Sequence, residues 1–319
     1  MSPTLPLELQ LHILELALPP LIRRNLDERV RLCKAFSLVH RDWTKTAQRE
    51  LHEHITVTCW QLDSFILAAR DRILAAHGGG WSVKRLDARL RGTGGAIILL
   101  EEGQGVEWSA IEEMWVNMDE GDFAELGADG LRRLHIYDVW RRGLLGFLHA
   151  LPTRLTYLGL HNVSLRDWSA VRLPALEVLI LDLVADPLPW ATLIPSHVKL
   201  RVLACRCNFP RIDTDTLANM PQLHHFIAVF DTTYRAADLW PALFDAPDPH
   251  SPPVRLPQRL QTFTCLATKY DPLPDDQSGL TSLKIACEEL GTVLAVRLDL
   301  TNHEVRVFDL EEWAHSVGV

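Results

Sequence analysis

A chain of 319 residues, 47% apolar and 23% charged, can bury an ample core and has room for two domains or one extended repeat array. Its formal net charge of −9 argues against a broad nucleic-acid footprint, so basic pairs such as Arg132-Arg133 and Arg141-Arg142 read as solvated faces. No run approaches the roughly 18 consecutive apolar residues of a membrane span, Glu8 and Glu15 interrupt any secretory core, and the six cysteines form no small-scaffold disulfide framework. An intracellular chain, cytoplasmic or nuclear, is expected, and the glycosylation triplet Asn162-Val163-Ser164 is then a chance match.

The first patterned stretch runs from Leu5 to Leu18. As a helix it has two opposed apolar faces: Leu5, Leu9, Ile13 and Leu16 on one side, Leu7, Leu11, Leu14 and Leu18 on the other. A strand is the competing reading, because Leu5 to Ile13 alternate with polar residues. Helix is favoured by Thr4 as a cap, Pro6 in the first turn, residues without β-branching and the stop at Pro19-Pro20. Asp27 opens a second helix carrying Val30, Leu32, Cys33 and Phe36, with Ser37 as punctuation. Val39, Trp43, Ala47 and Leu51 form the stripe of a third. Three short helices make a marginal core, so the module is expected to bury a face against something else.

The set Leu5-Pro6-Leu7-Glu8-Leu9, Ile13-Leu14 and Leu38-Val39-His40-Arg41-Asp42-Trp43 resembles an F-box, from residue 4 to about 52. The chain departs from the usual form in a basic insertion around Leu21 to Arg29 and in His40, where a Cys is frequent. The resemblance implies a three-helix module that docks on a Skp adaptor and through it a cullin. Leu5, Pro6, Leu9, Ile13, Leu14, Leu38, Val39 and Trp43 would form that contact or its immediate support.

Residues 1–52 therefore form the helical module, and 53–82 a linker with a strand at His54 to Cys59 and a helix at Asp63 to Ala76, stopped by Gly78. From residue 83 to 319 the pattern apolar-x-x-apolar-x-apolar recurs. It appears at Val83, Leu86, Ala88; Ile111, Met114, Val116; Leu131, Leu134, Ile136; Leu155, Leu158, Leu160; and Leu176, Leu179, Leu181. It continues at Leu200, Leu203, Cys205; Leu223, Phe226, Ala228; Leu260, Phe263, Cys265; and Leu280, Leu283, Ile285. The spacing mostly fits the leucine-rich period of about 20 to 29 residues. Leu151-Pro152, Leu173-Pro174, Met220-Pro221 and Leu256-Pro257 precede units, where proline pushes the preceding residue toward extended geometry.

This region resembles a degenerate leucine-rich solenoid, in which only Asn208 occupies the expected asparagine position. The fold class is α+β or α/β: three helices, then an irregular repeat array with a curved, mostly parallel sheet. The prolines of 241–257 mark an exposed insertion, or else a ligand for a proline-recognition domain. Val293 to Asp309, alternating around Thr301-Asn302-His303, reads as a terminal hairpin, with Leu310 to Ser316 capping the last repeat.

No catalytic constellation assembles. His77-Gly78-Gly79-Gly80-Trp81 looks like an oxyanion loop, but no Gly-x-Ser-x-Gly turn accompanies it. Gly92-Thr93-Gly94-Gly95 matches neither a P-loop nor a dinucleotide fingerprint. Cys205-x-Cys207 with His224-His225 lacks paired metal-ligand spacing, and His52 and His54 read as surface residues, so no metal or cofactor is expected.

The repeat register sends alternate residues to the other sheet face: Arg133, His135, Tyr137; Tyr157, Gly159, His161; Val178, Ile180, Asp182; Val202, Ala204, Arg206; His225, Ile227, Val229. If open, this face is a target-binding patch, with Arg133, Tyr137, Tyr157, His161, Ile180, Asp182, Val202, Arg206, Ile227 and Val229 as its contacts. The alternative is that the C-terminal tail or the proline-rich insertion covers it. The resemblance implies a non-enzymatic substrate-recognition subunit of a Skp-cullin-F-box ubiquitin ligase that holds an unknown target protein. The alternative is a leucine-rich-repeat interaction scaffold unrelated to ubiquitination, with the N-terminal helices as a solenoid cap.

Overall fold

The structure, a computed structural model, describes residues 5–57, 83–88, 110–117, 130–137, 153–162, 173–184, 199–207, 217–230, 254–268 and 278–318. Two compact units emerge: Met1–Gly121 with Leu126–Leu131, and Asp122–Glu125 with Arg132–Val319.

The first unit begins with three helices, α1 (Leu7–Ala17), α2 (Leu26–Val39) and α3 (Arg41–Glu53). Pro6 stands at the α1 N-cap, with no side-chain cap; Gln10 Nε2 reaches back to donate to Leu5 O at 2.7 Å. Thr4, the expected cap, lies outside the described residues. Helix α2 runs past Ser37, whose hydroxyl donates to Lys34 O, so this residue decorates the last turn and does not end the helix. His40 separates α2 from α3 and caps α3, its Nδ1 accepting from the Asp42 N–H at 3.2 Å. The small core joins Leu14, Leu18, Cys33 and Ala47, with Leu32, Phe36, Trp43 and Leu51 packed around it.

Strands β1 (His54–Val57), β2 (Arg85–Ala88) and β3 (Glu113–Asn117) follow, paired in parallel with Ile55, Leu86 and Met114 in register. The expected linker strand is thus the first strand of a sheet. The basic insertion docks there. Ile22 and Leu26 are buried, a 3-10 turn spans Arg23–Asn25, and Arg23 meets the fully buried Asp87 of β2 at 3.7 Å. Glu50 of α3 pairs with Arg29 and with Arg85, and Lys84 pairs with Glu53, tying the helices to the strands.

The second unit carries β4 (Arg133–Tyr137), β5 (Tyr157–His161), β6 (Val178–Val184), β7 (Val202–Cys207), β8 (His225–Phe230), β9 (Thr262–Thr268) and β10 (Val293–Leu300). They pair in parallel and in chain order, the arrangement of one strand per sequence repeat. The apolar motif sets the register: Leu134, Leu158, Leu179, Leu203, Phe226, Phe263 and Leu294 stand side by side. All but Leu294 are fully buried.

Two C-terminal expectations fail. Leu280, Leu283 and Ile285 lie on helix α4 (Ser278–Leu290), with Leu283 buried and Ile285 exposed; only the three-residue step from Leu280 to Leu283 follows a helix face. The last repeat strand is β10 instead. The expected hairpin is half helix, because Thr301 and Glu304 form a reciprocal capping box that starts α5 (Asn302–Val307). Asp309 then caps α6 (Leu310–Ser316) by accepting from the Glu312 N–H. Helix α6 turns back across β6 and β7, where the expected cap would have closed the last repeat. The linker helix, both glycine-rich loops, Asn208 and residues 241–253 lie outside the described residues.

Candidate functional site

Two surfaces were expected to carry contacts, and the structure treats them oppositely. On α1 the face with Leu14 and Leu18 turns inward, and the face with Leu5, Leu9, Ile13 and Leu16 points to solvent. Leu9 keeps 50% of its surface, while Leu38 and Val39, at the end of α2, keep 87% and 67%. Pro6 is exposed as well.

Of the eight residues expected at the adaptor contact, Leu14 is core and Trp43 is a half-buried brace. Its ring meets Phe36 edge-on at 5.9 Å and its Nε1 donates to Gln10 Oε1 at 3.1 Å, fastening the start of α3 to the middle of α1. The other six are exposed apolar residues on a module with little core of its own. Glu8, His12 and Glu15 border the stripe, with His12 and Glu15 3.9 Å apart.

The sheet face of the second unit is closed. Tyr157, Val178, Ile180, Val202, Ala204, Ile227, Val229 and Leu266 form one buried cluster with Val305, Leu310 and Ala314 of the tail, and Phe308, Trp313 and Val317 pack at its margin. The expected open patch is therefore corrected: Tyr157, Ile180, Val202, Ile227 and Val229 are core residues, because an amphipathic tail supplies the apolar partner they need.

The polar members of that face serve the same closure. Arg206, 4% exposed, donates to the carbonyl oxygens of Arg306 and Phe308 and lies 3.4 Å from Asp182. His161 Nδ1 stands 3.4 Å from the same carboxylate. His135 Nδ1 meets Glu311 of α6 at 2.8 Å, with both side chains buried. Gly159 lies between the two histidines. A Cβ there would come within 2.9 Å of His135 Nδ1 and of His161 Nε2, so only glycine leaves room for both rings. Tyr137 stacks on His161 at 4.2 Å between centroids.

Sequence reasoning placed Arg206 and Asp182 on the correct face but missed that their partners are internal. The capping signals Thr301-x-x-Glu304 and Asp309-x-x-Glu312 could have revealed the covering helices. One part of this face stays accessible: a cavity of about 280 Å³ at the strand starts, bordered by Arg133, Glu177, Arg201, His225 and Gly318. The guanidinium of Arg133 lies over the Tyr157 ring, 4.3 Å from its centroid. Burial, then Arg201 and Arg259, hold His224 below the ordinary histidine pKa; burial, then His224 and Arg201, do the same for His225.

Among the described residues, no group of three or more His, Cys, Asp or Glu side chains could hold a metal ion, and Cys205 is buried. No described helix is long and apolar enough to cross a membrane. Neither the family models nor the curated proteins searched give a match to this chain.

Proposed function

We propose that this chain is the substrate-recognition subunit of a Skp-cullin-F-box ubiquitin ligase, with an F-box at residues 1–52 and leucine-rich repeats beyond it. The F-box holds the Skp adaptor and through it a cullin, and the repeat unit holds the target. The chain performs no chemistry itself. It raises the effective concentration of the target beside an enzyme on another subunit, which converts a bimolecular encounter into a positioned one.

The observation that carries this reading is the outward face of α1. A scaffold whose N-terminal helices served only as a solenoid cap would bury Leu5, Leu9 and Ile13; all three are about half exposed, next to an inward face that already closes the helical module. A Leu9→Asp/Leu38→Asp variant should keep its helical content and melting temperature, since neither side chain belongs to the core, and lose co-purification with a Skp adaptor. Undiminished capture of the adaptor by that variant, or by a chain lacking residues 1–52, sinks the proposal in favour of the scaffold.

A further inference from the structure

Closure of the central sheet face leaves open the question of where the repeat unit can grip a target. The strand starts are linked by a main-chain ladder. Thr156 and Tyr157 donate to Arg132 O, Glu177 and Val178 to Thr156 O, Arg201 and Val202 to Glu177 O, and His224 and His225 to Arg201 O. The side chains of Arg132, Thr156, Glu177, Arg201 and His224 therefore stand in a row, one per strand, about 4.8 Å apart. Arg154 and Lys199, each two residues upstream of a ladder position, are exposed beside it, as are Arg132 and Arg201. Arg133 adds a fifth cation at the mouth of the cavity. Glu177, 3.8 Å from Arg201, is the only described acid among them.

On a chain of net charge −9, this is a local reversal of sign. A second observation agrees: Arg201 is among the causes that depress both His224 and His225, as a positive potential requires. We infer that this rim, with the cavity below it, binds a short acidic peptide segment lying across the strand starts from β4 to β8. The row is about 19 Å long, the span of roughly six extended residues. Glutamate or aspartate side chains would meet Arg132, Arg154, Lys199 and Arg201 from above, and the cavity would take one side chain between Arg133 and His225. A nucleic acid fits less well, because the aromatic ring at the site, Tyr157, is buried under Arg133 and offers no stacking face.

The inference rests on the target-holding part of the proposed function, but its test needs no adaptor, so the two readings fail separately. Fluorescence anisotropy of the full-length chain with a labelled hexaglutamate peptide at low salt should show saturable binding that weakens as salt rises. An R154E/K199E/R201E variant should lose about tenfold or more in affinity, since each reversal turns an attraction into a repulsion, whereas K284E on α4 should bind as wild type. Glu177→Gln should tighten binding severalfold, a gain that misfolding cannot produce. Absence of saturable binding, retention in the triple variant, no gain in E177Q, or tighter binding of a hexauridylate would each overturn the assignment.

Discussion

Arg206 shows how one side chain can be mistaken for a contact when it is a fastening. Its guanidinium has three internal partners, two carbonyl oxygens of the tail that accept from it and the Asp182 carboxylate as an ion pair. Removing one partner of a buried charged cluster leaves the others desolvated and unmatched. Arg206→Ala should cost on the order of 3 kcal/mol in urea unfolding, with adaptor capture intact in the folded fraction.

Three of the described cysteines lie at the inert end of their chemistry. Burial pushes the thiol of Cys265 up to about 12; burial, then Glu50, lifts Cys33 to about 11, and burial lifts Cys287 to about 11. Thiolate is the reactive form. At pH 8 these three should resist iodoacetamide in the native protein and react fully in guanidinium, which peptide mass spectrometry reads directly.

At the scale of elements, the tail helices decide which surface is available. Thr301→Ala removes an acceptor for the Glu304 N–H and breaks the reciprocal box, so it should cost about 1 kcal/mol and lower the midpoint of thermal unfolding by roughly 2–4 °C. The three N-terminal helices were legible because their stripes recur at helical spacing, and β2 to β9 because the motif puts equivalent residues side by side. Strand β10 was legible as the first arm of the expected hairpin, but its place as the last parallel repeat strand was hidden because its first motif position is Gly291 and because the pattern on α4 imitates a repeat. The hairpin expectation failed because alternation over 302–309 reports periodicity alone, while the start of α5 is fixed by a cap.

For the whole molecule, the sequence carried the order of elements better than the geometry of contact. Six of the eight residues expected at the helical surface are exposed and one of the others braces it. The sheet-face set was assigned to the right face, but most of its members are core under the tail, the alternative the sequence had left open, while Arg133 stays at the accessible cavity. Short-range periodicity can assign a face, but whether that face meets solvent depends on residues about a hundred positions away: Arg206 reaches Arg306 across a separation of 100. The basic insertion that departs from the F-box pattern gains a role at this scale as well, since Ile22 and Arg23 pack it against the strands of the first unit.

The position of the covering helices in the chain also has a temporal consequence. Strands β4 to β9 leave the ribosome before residues 302–316 exist, so Ile180, Ile227 and Val229 have no apolar partner from the tail during most of synthesis. The nascent repeat unit would pass through a stage with an uncovered, adhesive sheet face, the kind of surface on which chaperones act. A frameshift or early stop ahead of Thr301 would make that stage permanent, so the cell would lose such a product to aggregation or proteolysis even though every residue of the proposed adaptor surface had been made correctly.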